Sequence, residues 1–121
     1  VLDKNYLIGK VVEVNFLTSR VLLLSDLNSK IPVIIEPGGF QSILSGTGKN
    51  HGILQYLKEN YLIEGKNTVY TSGAGGLFKA GIPIGKIEKN QLDEENKVNF
   101  FSDFSQLRFV KIKSFIKEED N

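Results

Sequence analysis

Serine-based hydrolysis needs an imidazole to take the nucleophile's proton and a carboxylate to orient that imidazole, and the chain offers a single histidine, His51. It stands in Asn50-His51-Gly52, a composition that reads as an exposed turn. Ser72 and Asp26 are of the right type for the other two roles, yet no spacing ties either to His51. A two-barrel hydrolase of the protease kind would require all three to converge beside an oxyanion hole. One histidine without cysteine leaves only carboxylates to complete a zinc ligand set, which disfavours such a site. Among Asp26, Glu36, Glu64 and Asp103 no pair is singled out for acid/base chemistry. No catalytic, cofactor-binding or metal-ligating residue is assigned.

The run Gly73-Ala74-Gly75-Gly76 invites comparison with a phosphate-cradling loop. A P-loop, however, ends in Gly-Lys-Ser/Thr, and a dinucleotide fingerprint opens a helix. Here Leu77-Phe78-Lys79-Ala80-Gly81-Ile82-Pro83 follows, in which Gly81 and Pro83 oppose a helix. The glycines instead permit backbone conformations closed to other residues, and Gly85 falls where a side chain would obstruct a sharp bend or bulge. Gly73, Gly75, Gly76, Gly81, Pro83 and Gly85 therefore form a structural loop that holds Phe78. Two uses of that aromatic are open: plugging a barrel end, which is favoured, or display to a partner.

The elements that position these residues read as short strands. A chain of 121 residues, 40% hydrophobic, is long enough for one domain or for two very small β units sharing an interface. Ile8, Val12 and Val14 fall on one side of a strand over Leu7 to Val14, while Val21 to Leu24 is continuously apolar, as in a strand buried on both faces. Ile31 to Ile35 is a third strand, with Pro32 tolerated only near its start or at a sheet edge. Ile53 to Leu57, Thr68 to Thr71, Ile82 to Glu88, Val98 to Phe101 and Phe109 to Phe115 continue the series. In the last, Val110 and Ile112 oppose Lys111 and Lys113, the pattern of a half-buried strand. Turn signals separate them at Asp26 to Ser29, Glu36 to Gly39, Gly46 to Asn50 and Asn90 to Asn96. Helix-like pieces are limited to about one turn each, at Gly39 to Leu44 and Asp103 to Leu107. Gln91 to Lys97 reads as a solvated hairpin loop, and residues 116–121 as a frayed tail.

Charge and punctuation narrow the function class. Fifteen basic residues against fourteen acidic ones give a formal net charge of +1, which argues against binding nucleic acid by bulk charge. Cysteine is absent, so disulfides are excluded and the redox compartment is unreadable. No apolar run approaches a membrane span. The chain opens on Val1 and is read as a fragment or processed form of a longer protein.

Three segments resemble the periplasmic β region of the bacterial cell-shape-determining MreC family. The first is Leu7 to Val14 followed by Thr18 to Asp26. The second is Asn28 to Val33, with Ser42-Ile43-Leu44-Ser45-Gly46 similar to the family's short Gly-Ile-Leu-x-Gly element. The third is Thr71-Ser72-Gly73-Ala74-Gly75-Gly76-Leu77-Phe78, continuing through Gly81 to Ile87. They occur in the family's order and cover nearly the whole chain. Lys79 replaces the usual proline after the phenylalanine, and Ser42 replaces a glycine.

The resemblance implies an all-β fold of two small packed antiparallel β-barrels in a chymotrypsin-like arrangement without protease residues. Residues 1–36 would belong to the first barrel and 37–121 to the second, with return of the C-terminal strand to the first barrel left open, and the first being incomplete because the family's membrane helix, coiled coil and first strand precede this region. It further implies the periplasmic domain of a bitopic inner-membrane protein that acts as a non-enzymatic scaffold for lateral peptidoglycan synthesis. Implied partners are a second copy (dimer or filament), a penicillin-binding transpeptidase, its polymerase partner, MreD and MreB, with no cofactor and no nucleic acid. Contact with the membrane would come only through the preceding helix. Partner-binding candidates are Leu77, Phe78, Phe101, Tyr56 and Tyr61, each equally readable as core. The alternative reading is a small β-barrel that binds single-stranded nucleic acid, with aromatics stacking bases and Lys10, Lys86, Lys111 and Lys113 tracking phosphates.

Overall fold

In the computed structural model of the chain, the described residues are 1–55, 66–76, 78–88, 97–104, 107 and 109–113. Alternation of apolar and polar residues builds the central element, β5 (Lys30–Glu36), in which Ile31, Val33 and Ile35 are buried and their neighbours are not. It pairs on one side with β6 (Phe40–Gly46) and on the other with β8 (Lys66–Thr71). With β7 (His51–Gln55), β9 (Pro83–Glu88) and β10 (Lys97–Phe100) these strands close an antiparallel six-stranded barrel in the order β10-β7-β6-β5-β8-β9. Its interior holds Leu44, Leu54, Val69, Ile84, Ile87 and Val98 together with the three β5 side chains. Pro32 pairs with Ile43 of β6 but precedes the β8 ladder, which begins at Val33, so its missing N–H interrupts no bond to β8.

β5–β8 and β7–β10 are the pairs that close the cylinder, and the β9–β10 pair within it depends on a close approach. β9 and β10 pair through Asn99 with Lys86 and Phe100 with Gly85, and a Cβ at Gly85 would lie 2.3 Å from the Asn99 carbonyl oxygen. Beside it, Val69 faces Gly85 and Tyr70 faces Pro83, leaving Ile84 as the extra residue of a bulge that bends β9.

The N-terminal residues form two further two-stranded sheets. β1 (Leu2–Asp3) pairs with β2 (Tyr6–Leu7) around Lys4, whose φ is 56°. β3 (Gly9–Val14) pairs with β4 (Ser19–Leu23) as a hairpin. Leu7 and Leu24 reach from this part into the barrel's apolar cluster.

Several sequence expectations are corrected. Gly39 to Leu44 is not a helical turn: Phe40–Gly46 is a strand, with Ser42 and Leu44 buried on one face. Ser42 fits there because its hydroxyl donates to the Gln55 carbonyl. The barrel takes in β5, so the division between residues 36 and 37 falls after the first strand of the closed unit, which starts at Lys30. Ile8, Val12 and Val14 do not share a buried face: Val12 is the extra residue of a β3 bulge and, like Val14, is exposed. Val21 to Leu23 is only half-buried, because β4 has one strand neighbour. Over 109–113 only Lys111 pairs, in a single bridge to Leu2, and Val110 and Ile112 are exposed. Asp103 and Phe104 form no helix. Residues 114 and 115, the Gln91 to Asn96 loop and the 116–121 tail lie outside the described residues.

Gly85→Ala places a methyl group against backbone that cannot rotate away. It is expected to lower unfolding stability by about 1–3 kcal/mol, the cost of overpacking, as measured by denaturant titration.

Candidate interaction surface

Thr71 ties the neck of the glycine loop. Its amide donates to the Ile82 carbonyl (3.0 Å), and its carbonyl accepts from the Gly81 amide (2.9 Å). Its hydroxyl donates to the Lys79 carbonyl (2.6 Å) and accepts from the Ile82 amide (2.9 Å). A residue only 1% exposed thus ties the start of a ten-residue excursion to its end, through both its backbone and its hydroxyl. Inside it, Gly73, Gly75, Gly76 and Gly81 have φ between 68° and 87°, the region that side-chain-bearing residues avoid. The loop turns Phe78 back onto the barrel, where it is 8% exposed and joins the apolar cluster. Phe78 is therefore a plug, and it presents almost no surface to a partner. Pro83 opens β9 and Gly85 admits β10, so the glycines, Pro83 and Phe78 of this loop serve the architecture.

Of the other predicted contact residues, Phe101 is 37% exposed and its ring lies 5.0 Å from that of Tyr6, while its amide donates to the Ile84 carbonyl. Phe101 thus fastens the β1–β2 hairpin to the barrel and still shows an edge to solvent. Leu77, Tyr56 and Tyr61 lie outside the described residues. Among the described residues the most exposed large apolar ones are others: Phe16 at 98% and Leu17 at 86%, together at the tip of the β3–β4 hairpin, and Phe109 at 88%. The Asn15 amide donates to the Thr18 carbonyl, closing a turn whose two central residues are Phe16 and Leu17. A readable signal existed, since Asn15-Phe16-Leu17-Thr18 places two large apolar residues where a turn calls for Gly, Asn or Asp.

The catalytic candidates fall into local roles. His51 is not in a turn: it is the first residue of β7, half-buried, facing Asn99, and its carbonyl accepts from the Thr47 hydroxyl. Asp26 accepts the Asn28 amide, and Ser72 accepts the Ala74 amide, each shaping its own turn. Among the described residues no three His, Cys, Asp or Glu side chains gather as a metal would need. Lys10 and Lys86 stand on separate sheets, while Lys111 bridges to β1 and Lys113 follows it, so the lysines of the nucleic-acid reading are spread over three elements. No helix among the described residues is long and apolar enough to cross a membrane.

A family profile described as the barrel core of the rod shape-determining protein MreC matches residues 1–114. The chain belongs to the MreC family. It is 38% identical over 115 residues to the cell shape-determining protein MreC of Caulobacter vibrioides, covering 95% of this chain and 33% of that protein. It is 33% identical over 106 residues to that of Cereibacter sphaeroides, covering 88% and 35% respectively. A solved MreC structure superimposes with a TM-score of 0.77 at 30% identity, over 88% of this chain and 64% of that one. The chain thus spans about a third of the length of these curated relatives and corresponds to the β-barrel core of a cell-shape-determining protein. At position 79, where the resemblance implies proline, the hydrogen bond made by Lys79 uses its carbonyl. Proline would supply that acceptor equally, so this bond of the neck does not depend on which of the two residues stands there.

Thr71→Val removes the hydroxyl from the neck and strands the Ile82 amide, with an expected loss of about 1–3 kcal/mol in denaturant unfolding. Thr71→Ser should restore most of it. Phe78→Ala should cost more, about 3–5 kcal/mol, as the removal of a plugging ring requires.

Proposed function

We propose that this domain is a non-enzymatic, periplasmic interaction module of the cell-elongation machinery, promoting lateral peptidoglycan synthesis by binding partner proteins and further copies of itself. The observation that carries the reading is where the apolar surface lies: Phe16, Leu17, Phe109 and Ile112 stand in solvent on a domain whose barrel is already closed. Large apolar side chains left outside a finished core are the usual anchors of protein association, surrounded by a polar rim that contributes less. The outer edges of β3 and β4 have no strand neighbour among the described residues and offer backbone groups for strand addition.

The partners proposed are those of the family setting: the penicillin-binding transpeptidase, its polymerase partner and MreD, with MreB reached from the cytoplasmic side of the inner membrane that the parent protein would cross by an N-terminal helix. The mechanism is surface complementarity that holds the synthetic enzymes together, with no bond made or broken by this domain. Since the apolar anchors project from the N-terminal hairpin and the 109–113 segment, binding would use the outside of the barrel and leave its core unchanged.

Immobilised chain is expected to retain the transpeptidase from detergent-solubilised membranes, and Phe101→Ser and Phe109→Ser variants with unchanged unfolding midpoints are expected to retain several-fold less. A wild-type chain that captures none of these proteins would sink the reading.

A further inference from the structure

A groove of about 310 Å³ lies between the β1–β2 hairpin and the second half of the glycine loop. Half-buried Leu2 and Ile82 line it together with buried Leu7 and Phe78, which gives it an apolar floor. Both of its sides are fastened. The Lys79 carbonyl is held by the Thr71 hydroxyl, and Lys113 follows the bridge in which Leu2 and Lys111 each donate an amide to the other's carbonyl (2.8 and 2.7 Å). The groove is therefore formed before anything enters it, which spares an occupant the cost of ordering its walls. Its volume is at the small end of binding cavities, which run from roughly 300 to 1,000 Å³, and suits one or two large side chains. Among the described residues its lining carries two charged side chains, Lys79 and Lys113, both exposed, and no carboxylate.

We infer that this groove takes an extended segment of a partner protein that lays one or two large apolar side chains on the floor and sets carboxylates beside Lys79 and Lys113. The inference rests on the interaction-module reading above and gives the partner's contact a chemistry. Floor and rim ask for different parts of the segment. Burial of the apolar side chains supplies the affinity, because ion pairs made by exposed lysines contribute little. The lysines select: they attract an acidic segment, repel a basic one and fix the direction in which the segment lies. A small free anion would meet the lysines and leave the apolar floor uncovered. A nucleic acid would do the same, and two lysines neutralise too few phosphates to hold it. An acidic segment with an apolar centre satisfies both features at once.

Amide chemical shifts of the isotope-labelled chain, followed during titration with end-capped peptides, test this. The probes are Asp-Phe-Leu-Glu, Lys-Phe-Leu-Lys and Asp-Ser-Ser-Glu. The first is expected to move the amides of Leu2, Leu7, Lys79 and Ile82 saturably, with a Kd on the order of 1 mM or tighter. The basic peptide should bind at least about fivefold more weakly, the size expected of two exposed ion pairs, and the third should not saturate. The double variant Lys79→Glu with Lys113→Glu changes exposed side chains and leaves the Lys79 carbonyl in its bond to Thr71, so it should fold as wild type does and prefer the basic peptide. Asn5→Trp, which fills the groove from an exposed rim position, should abolish binding of both apolar peptides. An acidic apolar peptide that gives no saturable shifts, or gives them away from the groove, overturns the inference. So does a preference that the double variant fails to reverse. If the same wild-type chain still retains the transpeptidase from solubilised membranes, the interaction-module reading stands without this groove; if it retains none, the reading itself has failed.

Discussion

The fold depends on two strand pairings that chain order does not supply. Four of the six neighbouring pairs in the barrel, β5–β6, β6–β7, β8–β9 and β9–β10, join strands consecutive in the sequence, but the cylinder exists only because β8 also lies beside β5 and β10 beside β7. Within it, β9 and β10 approach closely because Gly85 has no side chain to hold the Asn99 carbonyl away. Closing the ladder removes both edges of the main sheet and leaves its backbone groups paired. The bulge at Ile84 supplies the bend at the same point, so the glycine and the bulge act together. Phe78 then covers the apolar interior from the glycine loop, held there by the four hydrogen bonds that Thr71 makes.

Against this closed unit the N-terminal part is open. β3 and β4 have one strand neighbour each, and the hairpin is anchored to the barrel chiefly through Leu7 and Leu24. Its apolar residues consequently have no interior to enter, and their exposure grows toward the tip. Apolar residues are thus divided in space: those of the barrel and glycine loop are buried in the core, while those of the hairpin tip and the 109–113 segment stand in solvent.

Most barrel strands were legible from alternation, above all β5, where period-2 burial is unbroken. β6 was not, because Gly39, Ser42 and Ser45 interrupt its apolar pattern, and Ser42 is buried only by virtue of the Gln55 carbonyl thirteen residues away. The 109–113 segment failed in the opposite sense. Its alternation is clean, yet it secures a single bridge and its apolar side chains remain outside. Of the predicted contact residues, Phe101 keeps an exposed edge and Phe78 does not; Phe16 and Leu17, missed in the sequence, are more exposed than either.

The sequence by itself determined the all-β class, the turns at Asp26 to Ser29, Glu36 to Gly39 and Gly46 to Asn50, the need for glycine in the loop after Thr71 and, through its three motifs, the family. These are properties of local conformation and periodicity, which each residue carries wherever it is placed. Only the tertiary structure decided which apolar residues are core and which are surface. Phe78 and Phe16 are the same side chain in similar glycine- or asparagine-flanked turns, and one is buried and the other bare because a barrel end lies beneath the first and nothing within the described residues lies beneath the second.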